Sequence, residues 1–255
     1  MINEEFVKKF SRSNRTFSPT QETPSLESFY FQHMIETDVI SALFHVRSNA
    51  VGMDRIPLKF IKSICPVIVK PITHLFNVIV YTSQFPKAWK NSKIIPIKKK
   101  ASLNALSNLR PISILSALSK VFERILKTQM GNFINQHNLI TPHQSGFRPK
   151  HSTKTAMLKV FDDIGLIVDQ RKPVVLILLD FSKAFDTISH NILYNKLRTY
   201  FNFSVQAANL IQPYLFQREQ IVFNNNAYST PRSSSGISTG TSFILLVHQR
   251  PFAHS

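Results

Sequence analysis

Apolar positions recur along this chain in two rhythms. Over residues 116–134, Leu118, Val121, Phe122, Ile125, Leu126, Phe133 and Ile134 keep close to a 3.6-residue spacing, and Ser116 is placed to cap the start of a helix. A second amphipathic helix is predicted over 152–169, capped by Ser152, with Met157, Val160, Phe161, Ile164 and Val168 facing inward. Residues 188–200 and 204–216 read as further helices, and 57–81 as two short helices with a break at Pro66 and Pro71. The strand signals are shorter. Residues 174–179 are six consecutive apolar positions, which predicts a strand buried on both faces that runs directly into Asp180. Residues 93–97 predict an edge strand, since Pro96 is tolerated there, and 220–223 a strand turned at Asn224, Asn225 and Asn226. Residues 1–35, rich in Ser, Thr, Asn and Pro and without periodicity, predict a loosely ordered leader. The mixed order of helices and strands predicts an α+β or α/β architecture.

Charge sharpens this picture. The 255 residues suffice for one or two compact domains, and they carry 31 Lys and Arg against 14 Asp and Glu, a formal net charge of +17. The excess is concentrated. From Arg55 to Val160 there are 18 basic residues and one acid, Glu123, so this stretch holds the entire excess and the rest balances to zero. A surface so one-sided repels itself and suits a polyanion. The single cysteine, Cys65, excludes an internal disulfide framework and a multi-cysteine zinc site, and its apolar surroundings predict a small core residue. The histidines are scattered without ligand-like spacing. No run of 18 apolar residues occurs, so no membrane span is expected, and the N-terminus lacks an apolar core for secretion. A reducing location, nuclear or cytoplasmic, is the expectation.

Asp180 admits two readings. A carboxylate at the tip of a buried strand is costly unless a cation pairs with it, and a divalent metal would supply that pairing; alternatively Asp180 caps the turn that follows. Its neighbours decide. Asp180-Phe181-Ser182-Lys183-Ala184-Phe185-Asp186-Thr187-Ile188-Ser189-His190 closely resembles motif A of reverse transcriptases in the form used by non-LTR retrotransposons. Upstream, Val51-Gly52-Met53-Asp54-Arg55-Ile56-Pro57, Leu109-Arg110-Pro111-Ile112-Ser113-Ile114-Leu115 and Gln144-Ser145-Gly146-Phe147-Arg148-Pro149 resemble successive blocks of the same family, in its order.

The resemblance implies the fingers and part of the palm of a right-hand polymerase, α+β, with mixed helices and a small antiparallel sheet. Residues 1–35 would be the leader, 36–173 a basic, helical fingers-like region, 174–246 a partial palm and 247–255 a divergent tail. It implies an RNA-directed DNA polymerase that uses an RNA template, a DNA primer and dNTP, with Mg²⁺ or Mn²⁺ in a two-metal displacement. Asp180 would be the ligand shared by both ions, with the carbonyl of Phe181 beside it. Phe185 would pack under the incoming sugar, or serve as an ordinary core phenylalanine, and Asp186 is as well placed to cap the helix that follows. Arg110, Lys120, Arg148 and Lys150 match residues bordering the template and triphosphate, where cations stabilise developing phosphoryl charge.

The pattern then breaks down. Gly236 and Gly240 keep the register of a glycine-containing nucleotide/template segment, but Ser238 and Thr239 replace its proline and glutamine. No aspartate pair follows: from Thr187 to Ser255, 69 residues, Glu219 is the only acidic side chain. The second metal-ligand set is missing, and Glu219, beside Arg218, reads as a solvated glutamate. Three readings therefore compete. The chain is a reverse-transcriptase fragment inactive alone, a basic RNA/DNA-binding module without catalysis, or, more remotely, an unrelated metal-dependent phosphotransferase.

Overall fold

The computed structural model describes residues 27–98, 109–179, 189–224, 227–228 and 232–234. Its helices are α1 (Glu36–His45), α2 (Leu58–Ser63), α3 (Cys65–Thr82), α4 (Ala117–Gln136), α5 (Thr153–Asp169), α6 (His190–Thr199) and α7 (Val205–Leu215). Its strands are β1 (Asn91–Lys98), β2 (Leu109–Ile114), β3 (Arg218–Asn224), β4 (Ala227–Tyr228) and β5 (Arg232–Ser234). This is an α+β architecture, as the mixed pattern of periods anticipates.

α4 organises the core. Ser116 caps it by accepting a hydrogen bond from the Ser119 amide at 3.3 Å, and its apolar stripe buries Val121, Phe122, Ile125, Leu126, Met130 and Ile134. Phe122 is fully buried and meets Phe76 of α3 at 5.0 Å between ring centroids and Trp89 at 6.0 Å. Two helices, α2 and α3, fill this stretch as expected, but α3 runs unbroken through Pro71. Pro66 falls in its first turn, where no amide is needed, and the break comes earlier, at Ile64. Pro71 lies inside the helix on its exposed face, so the Val67 carbonyl it leaves without an amide is open to water. By length and apolar content α3 could cross a membrane, contrary to expectation. Yet Val69, Ile72, Phe76 and Ile79 pack into this core, and Cys65 is buried with them.

The expected leader is packed from Phe29 onward. Phe29 pairs backbone to backbone with the 202–204 loop, its amide donating to the Asn202 carbonyl at 2.9 Å and its carbonyl accepting from Ser204 at 3.0 Å. Its ring lies 4.4 Å from Phe203 and 5.1 Å from Phe133, and Met34 is fully buried. A Ser- and Pro-rich composition describes residues up to 26, which lie outside the described residues, better than it describes 27–35.

The sheet corrects two expectations. It is mixed, not antiparallel: β1 pairs antiparallel with β2 (Lys93 opposite Ile114 through Lys98 opposite Leu109) and parallel with β3 (Asn91 opposite Glu219 through Ile94 opposite Val222). β4 and β5 extend it antiparallel to β3, giving the hairpin anticipated after residue 223. β1 is therefore central rather than an edge. It tolerates Pro96 because β3 is registered only as far as Ile94, and because Pro96 faces Pro111, so a single pair of positions absorbs both missing donors.

Two further expectations fail. α5 forms where predicted, with Ser152 and Thr155 bonded reciprocally at its start, but none of its residues is buried. Residues 174–179 form no strand, and Val175 to Leu179 are exposed instead, Val175 to 83%. A strand buried on both faces must lie within a sheet that other layers cover on both sides, and none of the described strands pairs with this segment.

The docking of Phe29 yields a stability prediction. Phe29→Ala should destabilise the protein by about 3–5 kcal/mol, because it empties an aromatic site enclosed by Phe31, Phe133 and Phe203. Urea denaturation of the two proteins measures this. A change below about 1 kcal/mol would show that residues 27–35 are not part of the core.

Candidate nucleic-acid interface

Two of the sequence blocks meet at the start of α4. Gly52 is buried against the turn that joins β2 to α4, and a Cβ there would lie 2.8 Å from the Leu115 carbonyl group and from Ser116 Cα. Only glycine permits so close an approach of two backbones. Lys120, in the first turn of α4, ties the same loop down: its Nζ donates to the Ala50 carbonyl at 2.8 Å and to Ser48 Oγ at 3.3 Å. Burial lowers its pKa, while the charges of Asp54 and Glu123 act in the opposite sense. Lys120 thus orders the 48–50 loop. Arg124 and Lys127, four and seven residues further along α4, are exposed on the same stripe.

Other sequence-predicted residues lie around this centre. Arg110 is carried on β2 opposite Ile97. Arg148 is half-buried, and its Nη1 donates to the Thr141 carbonyl at a long 3.5 Å. The loop holding it is pinned by Gln144, which is 8% exposed; its amide donates to the Thr141 carbonyl at 3.1 Å, and its Nε2 to the Gly146 carbonyl at 3.3 Å. Phe147 (φ 59°) and Lys150 (φ 62°) both adopt the left-handed conformation, and both side chains are exposed. Asp180, Phe181, Phe185, Gly236 and Gly240 lie outside the described residues, as do Asp186 and the 99–100 lysines. The cap of α6 is Ser189, which accepts from the Ile192 amide at 3.5 Å. Among the described residues no group of three or more His, Cys, Asp or Glu could hold a metal.

The most constrained electrostatics involve residues that no sequence motif singles out. Arg218, at the start of β3, is turned inward and lies 3.6 Å from the carboxylate of Glu123 on α4, with side-chain exposures of 4% and 10%. That separation is an ion pair rather than a hydrogen bond. The guanidinium also stacks over Tyr214 at 4.5 Å and approaches Phe85 at 5.8 Å. Burial pushes the Glu123 carboxyl upward; the charge of Arg218 and the hydroxyls of Tyr214 and Ser119 pull it back down. Burial and the Glu123 charge likewise raise the Tyr214 phenol. Lys90, itself buried, is lowered by desolvation and then by the charges of Arg218 and Lys87. The sequence does carry a signal for this pair: Glu123 falls on the buried side of α4 beside Ser119, Phe122 and Leu126. Glu219, next along β3, alternates to the other face and is exposed, in agreement with the solvated reading.

The arrangement is a scaffold that spends its one local acid internally and leaves lysines and arginines outside, which suits contact with phosphate. A family model described as reverse transcriptase (RNA-dependent DNA polymerase) matches residues 97–243. The chain is similar to the probable RNA-directed DNA polymerase from transposon BS of Drosophila melanogaster, 26% identical over 213 residues, covering 83% of this chain and 23% of that protein. It is similar to the probable RNA-directed DNA polymerase from transposon X-element of the same fly, 29% identical over 196 residues, covering 76% and 21%. A Pol polyprotein from a type-1 retrotransposable element R2 of Popillia japonica is 33% identical over 113 residues, covering 44% and 15%. The chain thus spans less than a quarter of the length of these relatives.

The close approach at Gly52 is directly testable. Gly52→Ala must displace the backbone at Leu115 and Ser116, and it should destabilise the fold by about 1–3 kcal/mol, measurable as an earlier urea midpoint. A variant as stable as the parent would mean that the loop does not sit against α4.

Proposed function

Because the chain belongs to the reverse transcriptase (RNA-dependent DNA polymerase) family, we propose that it is the primer–template-holding portion of a retrotransposon RNA-directed DNA polymerase. In this reading 36–173 supplies the fingers of a right-hand polymerase and 174–246 part of its palm. The observation that carries it is the meeting of two family blocks at α4: the Gly52 loop lies against Leu115 and Ser116, beside the exposed Arg124 and Lys127. Cations spaced along a rigid helix meet phosphates without base preference, as an enzyme that copies any sequence requires. The template would be RNA and the primer DNA, with Arg110, Arg148 and Lys150 bordering the template and the incoming dNTP.

Bound Mg²⁺ or Mn²⁺ supplies activation of the primer hydroxyl and neutralisation of the triphosphate in such enzymes. Asp180, with the Phe181 carbonyl, would be the ligand this chain offers; among the described residues no group of three or more His, Cys, Asp or Glu completes a metal centre. After Asp186 the only acidic side chain is Glu219, which is exposed on β3. Its exposure favours, for this chain by itself, the behaviour of a non-catalytic RNA/DNA-binding module.

Two measurements test this. RNA–DNA primer–template should bind with an affinity that falls steeply with salt, and replacing Lys98, Lys99 and Lys100 with alanine should flatten the log–log slope by about 0.7–0.9 for every phosphate no longer neutralised. Affinity unchanged between low and moderate salt would remove the interface. With Mg²⁺ or Mn²⁺, neither this chain nor its Asp180→Ala variant should extend the primer. Extension that requires Asp180 would show that this chain completes the metal site itself.

A further inference from the structure

Residues 29–34 lie outside every helix and strand, apart from one parallel bridge between Phe29 and Phe203. Their main-chain amides and carbonyls still need partners, and three separate parts of the fold supply them. Phe29 makes both of its main-chain bonds with Asn202 and Ser204, in the turn between α6 and α7. Gln129 of α4 reads Gln32 twice: its Oε1 accepts from the Gln32 amide at 2.9 Å, and its Nε2 donates to the Gln32 carbonyl at 3.2 Å. Asn77 of α3 does the same for Met34, accepting from its amide and donating to its carbonyl, both at 2.8 Å.

A side-chain amide that both donates to and accepts from one residue imitates the edge of a strand. Two such amides and a bridge, at positions 29, 32 and 34, form the pattern by which proteins hold a linear peptide. Main-chain bonds give the affinity, and side-chain pockets give the choice. Apart from His33 Nε2, which lies 3.4 Å from Asn77 Nδ2, the two amides bond only to main chain. Sequence is read where side chains are buried, at Phe29 and Met34, which are 4% and 0% exposed. The rule is an aromatic residue and, five positions on, a flexible apolar one.

The segment also ties together elements that are not chain neighbours. Gln32 and Gln129 are 97 residues apart, and the Phe29 ring lies against both Phe133 of α4 and Phe203 of the turn before α7. We propose that the groove between α3, α4 and the 202–204 turn is a peptide-recognition site. The chain fills it with its own residues 29–34 as a detachable strap, and the seated strap holds the α6–α7 pair against α4. This does not depend on the polymerase reading.

Hydrogen exchange on the unmodified chain at low urea is the first test. The amides of Phe29, Gln32 and Met34 should exchange through one shared opening, at least roughly tenfold faster than those of Ile125 and Leu126 in α4. Exchange of all five only on global unfolding would overturn the strap. The second test vacates the groove in the full chain with Phe29→Ala and Met34→Ala together, and adds a labelled peptide of residues 27–36. The peptide should bind this variant but not the parent chain, where the tethered strap outcompetes it, and should fail when its own Phe29 or Met34 is alanine. Binding should restore slow exchange at the amides of Phe203 and Ala208, which donate to the Leu197 and Ser204 carbonyls. Equal binding to parent and variant, or a folded variant that ignores the peptide, would overturn the recognition site. Binding that leaves Phe203 and Ala208 unchanged would overturn the hold on α6 and α7.

Discussion

Glu123 and Arg218 meet inside a protein whose charge is otherwise overwhelmingly of one sign. Moving either ion out of water carries a penalty of several kcal/mol, and each is tolerable only because the other lies 3.6 Å away with Tyr214 stacked against the guanidinium. The pair joins α4, which carries the core, to the start of β3, which lies parallel to β1. If α4 moves, Arg218 is separated from its counter-charge, and the residue that opens β3 becomes a buried, unbalanced cation beside Lys90. The helical core and the sheet are therefore coupled by an electrostatic interaction as well as by packing.

This constraint shapes the outer surface. The stretch from Arg55 to Val160 holds a single acid, and that acid faces inward. Lys120 is turned back onto the 48–50 loop, but Arg124 and Lys127 point to water with no acid from their own stretch left to meet them. A self-repelling surface of this kind is costly unless a polyanion neutralises it. The reverse transcriptase family and the charge distribution both support the nucleic-acid partner proposed above.

Much of this is legible in the sequence where a signal is local. Ser116 and Ser152 cap their helices as expected, and the apolar stripe of α4 is buried as its spacing indicates, whereas the cap of α6 is Ser189 rather than Asp186. Periodicity reveals that a face is apolar, not what covers it, and so α5 forms as predicted while its apolar face remains exposed. The apolar run 174–179 fails as a strand for the same reason: burial on both faces depends on neighbours that residue pattern alone does not supply. Pro96 misleads because the proline rule concerns one ladder position rather than a whole strand. Arg218 is masked by its neighbour Glu219; an acid adjacent in sequence looks like its natural partner, yet alternation along β3 sends the two to opposite faces. The motif A carboxylate, Asp180, is identified by resemblance and lies outside the described residues.

The coupling of core to sheet through Glu123 and Arg218 is best tested by a double-mutant cycle in urea denaturation. Glu123→Met and Arg218→Met should each destabilise the protein by about 3–5 kcal/mol, because each strands one buried charge. The double variant should recover much of that loss, with a coupling energy of about 2 kcal/mol or more. Strictly additive losses, or single substitutions without effect, would contradict the account.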